Sequence, residues 1–291
     1  MKRTMKYLIL IVLSCLLAAS CIIRIGGGAS IVGYCTEDGI DYTEVREVGR
    51  FNAISSSLPC TVYFSQSDKQ EVRVESTKEL APNVLTVIED GTLKLKLKEG
   101  RYPKLILRIV ISVPDIQSIS LRGSGNLIHE GSFRTGNNLS VKVSGSGDIR
   151  MGDIVCKAFE GHTSGSGNIG FGSIDCSDFS GSVSGSGNLR SDSVRCDGFG
   201  VSTSGSGDVD ITTLVASGNG TARASGSGDI SLRQVTVDGD LDLKTTGSAD
   251  ILVSGSCHDV TASTSGSGDI SGDLSHAGMS VHSSGSGDIN L

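Results

Sequence analysis

The sequence predicts a single all-β domain, a right-handed parallel β-helix (solenoid) with coils of about 20 residues, and three observations predict it. A Gly-Ser-Gly-Asp/Asn corner, once varied to Gly-Ser-Ala-Asp, recurs nine times between Gly123 and Asp288. Small, β-branched and aliphatic residues keep fixed offsets from it, and no segment carries a helix-length apolar period. The 291 residues are 37% hydrophobic with a mean hydropathy near zero, which argues against a multispanning membrane protein. There is no Trp, and aromatic residues make up only 4%.

Residues 1–20 read as a lipoprotein signal peptide. Lys2, Arg3 and Lys6 precede an apolar run from Tyr7 to Leu17, too short to span a bilayer. Ala18-Ala19-Ser20-Cys21 then resembles the lipobox of bacterial lipoproteins, which implies cleavage before Cys21 and acylation of that residue. Several acyl chains give stable anchoring where one gives marginal binding. Residues 21–41 form the lipid anchor and tether, so the expected location is extracytoplasmic and membrane-anchored.

Residues 42–119 alternate as strands, from "YTEVREVGRF" through "TLKLKLKEG" to "KLILRIVISV", and hold all four prolines. They are expected to make irregular first coils and to cap one end of the same domain.

Residues 120–291 are the regular repeat. Its first glycines are 22, 20, 20, 20, 21, 21, 19 and 19 residues apart. Four positions after each stands an aliphatic residue, as in Ile149, Ile169, Leu189 and Val209. Two and four positions before it stand small or β-branched residues such as Val141 and Val143, with an outward residue such as Lys142 between them. Each copy is one coil, and stacking nine at about 4.8 Å makes a rod roughly 40 Å long. Gly145, Gly165, Gly185, Gly205, Gly226, Gly266 and Gly285 are structural corners, where positive φ and the coil above both disfavour a Cβ. Asp or Asn at the corner is expected to bond back to local backbone.

Asp208, Asp229, Asp250, Asp269 and Asp288 raise calcium as a candidate metal, since acidic glycine-rich turns resemble the calcium-binding nonapeptides of other β-rolls. Asn126, Asn168 and Asn188 at the same position, and a period of about 20 rather than nine, favour a turn-forming ladder without a cofactor. Cys156, Cys176 and Cys196 form a column that reads as buried thiols, continued by Ala216 and Val237, against a thiolate metal stack or one disulfide within it. Phe159, Phe179 and Phe199 read as stacked core. The cysteine spacings fit no metal knuckle or compact disulfide scaffold.

From residue 120 onward, 10 Lys and Arg face 19 Asp and Glu, a charge of −9 that disfavours nucleic acid. A carbohydrate-active β-helix enzyme is the competing reading. Against it stand nearly constant coil lengths that leave no long loop to wall a cleft, no Tyr after Tyr102, and no Ser-His-Asp, P-loop or HExxH pattern. The expectation is a protein that is not an enzyme.

"VGRFNAISSSLPCTVYFSQ", "VRVES", "GTLKLKLK", "ISVPDIQSISLRGSGNL" and the corner ladder together resemble the bacterial family of putative auto-transporter adhesins with a head GIN domain, over Val48 to Leu291. The resemblance is to lipoproteins common in Bacteroidetes. It implies a single-domain β-helix on the cell exterior or in the periplasm, a surface adhesin or binding module, and no catalytic residues to carry over. Expected partners are the membrane through the lipid, a host or envelope glycan or protein, and a second copy covering the C-terminal coil. A calcium-stabilised β-helical spacer is the remaining alternative.

Overall fold

Fixed offsets from a repeated corner demand fixed strand register, and the computed structural model of the chain has it. The structure describes residues 23–24 and 29–291; the leader, Cys21 and its expected lipidation lie outside the described residues. Strands that precede each corner, from Ser118–Leu121 and Leu139–Val143 to Gly278–Gly285, join one 12-stranded sheet. Strands that follow each corner, from Leu127–Arg134 and Ile149–Val155 to Ile289–Asn290, join a 16-stranded sheet. Within the repeat every neighbour is parallel and equivalent residues stand opposite, as in Phe159 with Phe179 and Ile169 with Leu189. The chain is a parallel β-solenoid with two strands per coil, and no α-helix occurs among the described residues.

The aliphatic residues four and nine positions after the corner glycine lie on one strand, as Ile149 and Ile154 do in Ile149–Val155. An offset of five cannot keep both inward in a strand of period two. The phase slips at Gly152 and Asp153, where burial changes from alternating to two outward residues in a row. Asp153 Oδ1 fills the irregularity by accepting hydrogen bonds from Ser173 N at 3.0 Å and Ser173 Oγ at 2.7 Å.

The N-terminal part is built differently. Strand Ala53–Ser56 pairs in parallel with Thr92–Leu97 on one side and Ser118–Leu121 on the other. Val62–Gln66 likewise lies between Arg101–Val113 and Leu127–Arg134. The coil written first in the sequence is therefore second in space. The chain runs outward from it, makes the terminal coil, and steps back over it to begin the repeat. Antiparallel pairs cover this end: Val84–Glu89 with Thr92–Leu97, Glu71–Ser76 with Arg101–Val113, and Tyr42–Arg46 with Glu71–Ser76. Glu75, 10% exposed in its side chain, receives bonds from Arg108 Nε at 2.6 Å and Nη2 at 2.5 Å. At the opposite end Met279 and Val281, inward positions in every other coil, are 39% and 51% exposed.

Candidate functional site: the corner file and an arginine-flanked groove

Each corner sits directly on the one before it. A Cβ on Gly145 would lie 2.1 Å from the carbonyl oxygen of Gly123, and on Gly165, Gly185 and Gly205 the same distance from the corner below. The second glycines are tighter, with Gly147 at 1.7 Å from Gly125 O. Left-handed backbone belongs only to the later corners: φ is 110° at Gly226, 131° at Gly266 and 130° at Gly285, while Gly145, Gly165, Gly185 and Gly205 lie outside that region. The expectation of positive φ at all seven is corrected. In the earlier coils, stacked backbone alone excludes a side chain.

The corner Asp and Asn residues do not bond back within their own turn. From Asn126 to Asp269, each side-chain Oδ1 accepts the backbone N–H of the equivalent residue one coil on. The file runs from Asn126 through Asp148, Asn168, Asn188, Asp208, Asp229, Asp250 and Asp269 to Asp288, at 2.8–3.1 Å. Only an acceptor oxygen is required, which is why Asn and Asp interchange. Asp208, Asp229, Asp250 and Asp269 thus stand one per coil with one oxygen engaged, and Asp288 ends the file as a backbone donor. A calcium ion takes six to eight oxygens. Among the described residues, the one group of three His, Cys, Asp or Glu ligand atoms that converges within 4.8 Å is elsewhere, at the exposed Asp240, His258 and Asp259.

Buried threonines complete the corner. Thr163, Thr203 and Thr264 donate their hydroxyls to Gly167, Gly207 and Gly268 carbonyls at 2.7–2.8 Å, and Thr245 donates to Ala249 in the same way. Sequence reasoning took this column as small and β-branched and missed the hydroxyl's role. Its signal was the recurrence of Thr rather than Val two positions before the corner.

The thiols of Cys156, Cys176 and Cys196 are free and buried. Donation from Cys176 lowers the Cys156 pKa, the same bond and burial raise that of Cys176, and burial pushes Cys196 up to about 12. Phe159 and Phe179 stack with centroids 5.5 Å apart and rings 8° from parallel. Glycines make room for them: a Cβ on Gly220, opposite Phe199, would lie 2.1 Å from that ring. Both columns are core.

The outward face offers something else. One position after the aliphatic column, Arg150, Gly170 and Arg190 stand in register on three successive coils. A Cβ on Gly170 would meet nothing within 4 Å. The open floor belongs to a groove of ≈ 510 Å³, also lined by Asp148, Asn168 and Asp192. Arg150 has a 3.5 Å contact with Asp148, and Arg190 has no ion-pair partner among the described residues. Two arginines whose backbone positions lie two strand spacings, roughly 10 Å, apart, with acceptors beside them, can take a carboxylate and hydroxyls together. Sequence reasoning passed over this column, whose one signal is a glycine between two arginines at the repeat period.

The head GIN domain family, described as putative auto-transporter adhesin, matches residues 50–233 and 200–291. The chain belongs to this family. The putative adhesin of Parabacteroides merdae has a similar structure, with a TM-score of 0.66 at 16% identity, over 90% of this chain and 99% of that one. A putative adhesin of Parabacteroides distasonis gives 0.68 at 17%, over 87% and 99%. A putative lipid binding protein from the same species gives 0.63 at 20%, over 90% and 98%. At such identities the likeness is one of fold. No curated protein matches the chain. Among the described residues no helix is long and apolar enough to cross a membrane.

Proposed function

We propose that this chain is a non-enzymatic adhesion module of the cell exterior, anchored by lipid at Cys21, whose outward sheet face engages acidic glycans. The observation that carries the reading is the Arg150–Gly170–Arg190 column: an open floor with a cation on either side, on a repeat that is otherwise acidic. A sugar carboxylate would sit between the forks, and Asp148, Asn168 and Asp192 would take hydroxyls. Such a contact is weak alone and gains strength by multivalency on a polymer or a crowded surface. The adhesin family supports a binding role, and coils of 19 to 22 residues leave no wall or lid for a catalytic cleft.

Titration calorimetry with a polyuronate and with a neutral glucan tests this. The expected result is binding of the polyuronate alone, weakened at least about tenfold by Arg190→Ala, as for loss of a charge-assisted contact. Equal binding of both polymers, or an unchanged affinity in the variant, would overturn it. Protease digestion of the tagged protein on intact cells, with Cys21→Ala as control, tests the location separately, and protection until lysis would rule out the cell exterior.

A further inference from the structure

Cys35 lies on strand Ala29–Thr36, which runs parallel to Arg101–Val113 with Cys35 opposite Leu105. Cys60 precedes Thr61, whose carbonyl accepts the Ile109 N–H at 3.3 Å, and Val62 stands opposite Ile109. Both thiols therefore flank the same short stretch of one strand. Cys35 Sγ lies 3.8 Å from the Leu107 carbonyl, and the Cys35 and Cys60 thiols are near enough that each shifts the other's pKa. A second contact fixes the two segments at this level: Glu37, two residues after Cys35, accepts from the Tyr63 hydroxyl at 3.1 Å and from Arg108 at 3.4 Å.

We propose that Cys35 and Cys60 close a disulfide once the exported chain meets a thiol–disulfide oxidant, stapling strand Ala29–Thr36 to the solenoid. The proposal rests on the export reading above. Thiols held at one level of the same strand by segments that also meet through Glu37 and Tyr63 need little backbone movement to bond. Among the described cysteines this is the contact with only two members, for Cys156, Cys176 and Cys196 stand in one file in which no pair is unique. The roles are unequal. Cys35 is half-buried, and donation from Cys60 lowers its pKa, whereas that bond and full burial raise the pKa of Cys60. Cys35 thiolate attacks the oxidant's disulfide, forming a mixed disulfide and releasing the first oxidant thiolate. Cys60 then gives its proton to solvent and attacks the Cys35 sulfur, forming the Cys35–Cys60 bond and releasing the second thiolate. Two protein thiols are oxidised and one oxidant disulfide is reduced to two thiols.

The staple matters for load. Tension arriving along residues 21–35 would otherwise peel the strand and then the antiparallel Tyr42–Arg46 edge. A bond from Cys35 to Cys60 carries it into the coil that lies between two others.

The test is thiol blocking and peptide mapping of the full purified chain after incubation with oxidised glutathione, without and with reductant. The expected result is a reductant-sensitive peptide joining Cys35 to Cys60 in wild type, absent from Cys35→Ser, with unchanged labelling of Cys257. Free label on both Cys35 and Cys60, or a cross-link mapping to other cysteines, would overturn it. Because this reaction is run on purified protein, failure of the export reading would show instead as free thiols only in cells.

Discussion

The repeat and the N-terminal part make the same coil by opposite means. In residues 139–291 each coil is specified by what is missing, a Cβ at the first corner position and, except at Ala249, at the second, together with an Asx and often one Thr hydroxyl. In residues 42–121 no such corner set recurs. Coils there are held by long apolar strands such as Arg101–Val113, by antiparallel covers, and by the Glu75–Arg108 pair. Specification by backbone contact permits neat sequential stacking but leaves no room for a side chain at the first corner glycine and, outside the coil of Ala249, little at the second. Specification by side chains permits the out-of-order coil at Ala53–Gln66 and the covered end that stops further stacking.

Substitutions should separate the two. The largest effect is expected for Gly147→Ala, whose Cβ meets backbone at 1.7 Å; denaturant titration should show a loss of about 4 kcal/mol or no folded protein. Arg108→Met strips Glu75 of both its short bonds and should cost about 2 kcal/mol by the same measurement. Thr203→Val leaves the Gly207 carbonyl without its buried donor, for about 1 to 2 kcal/mol.

A smaller effect is expected where the two parts meet. His129 is buried between Phe64 and Phe133, with centroids at 4.6 and 5.7 Å, and burial lowers its pKa from 6.5. The unfolded chain then binds a proton that the folded chain does not. Stability is full above pH 6.5 and falls as pH drops from there toward the lower folded value, a trend His129→Leu should remove from melting curves. Smallest of all, chelation should leave the melting temperature unchanged, because the corner file is completed by backbone N–H groups. A large drop on adding chelator would restore the calcium reading.

The repeat was legible because its spacing displays the register: columns aligned on Gly145 and its equivalents became rows of paired strands. The coil order at the N-terminus was not. Ala53–Ser56 and Thr92–Leu97 carry similar alternation, and nothing in either tells which neighbour lies above. The corner Asx was visible, but its partner one coil on was hidden, since a local turn asks for the same residue. The groove was hidden for another reason. An outward glycine carries no periodic signal, and only the structure shows that the space above Gly170 is open.

The central claim is that backbone stacking, and not glycine's flexibility, demands the corner sequence. Equilibrium unfolding of Gly205→Ala and Gly170→Ala tests it most directly. Both residues have φ outside the left-handed region, but a Cβ lies 2.1 Å from Gly185 O in one and free of neighbours in the other. The account predicts a loss of about 3 kcal/mol or more for Gly205→Ala and a change within about 0.5 kcal/mol, or a slight gain, for Gly170→Ala. Similar losses at both positions would contradict it.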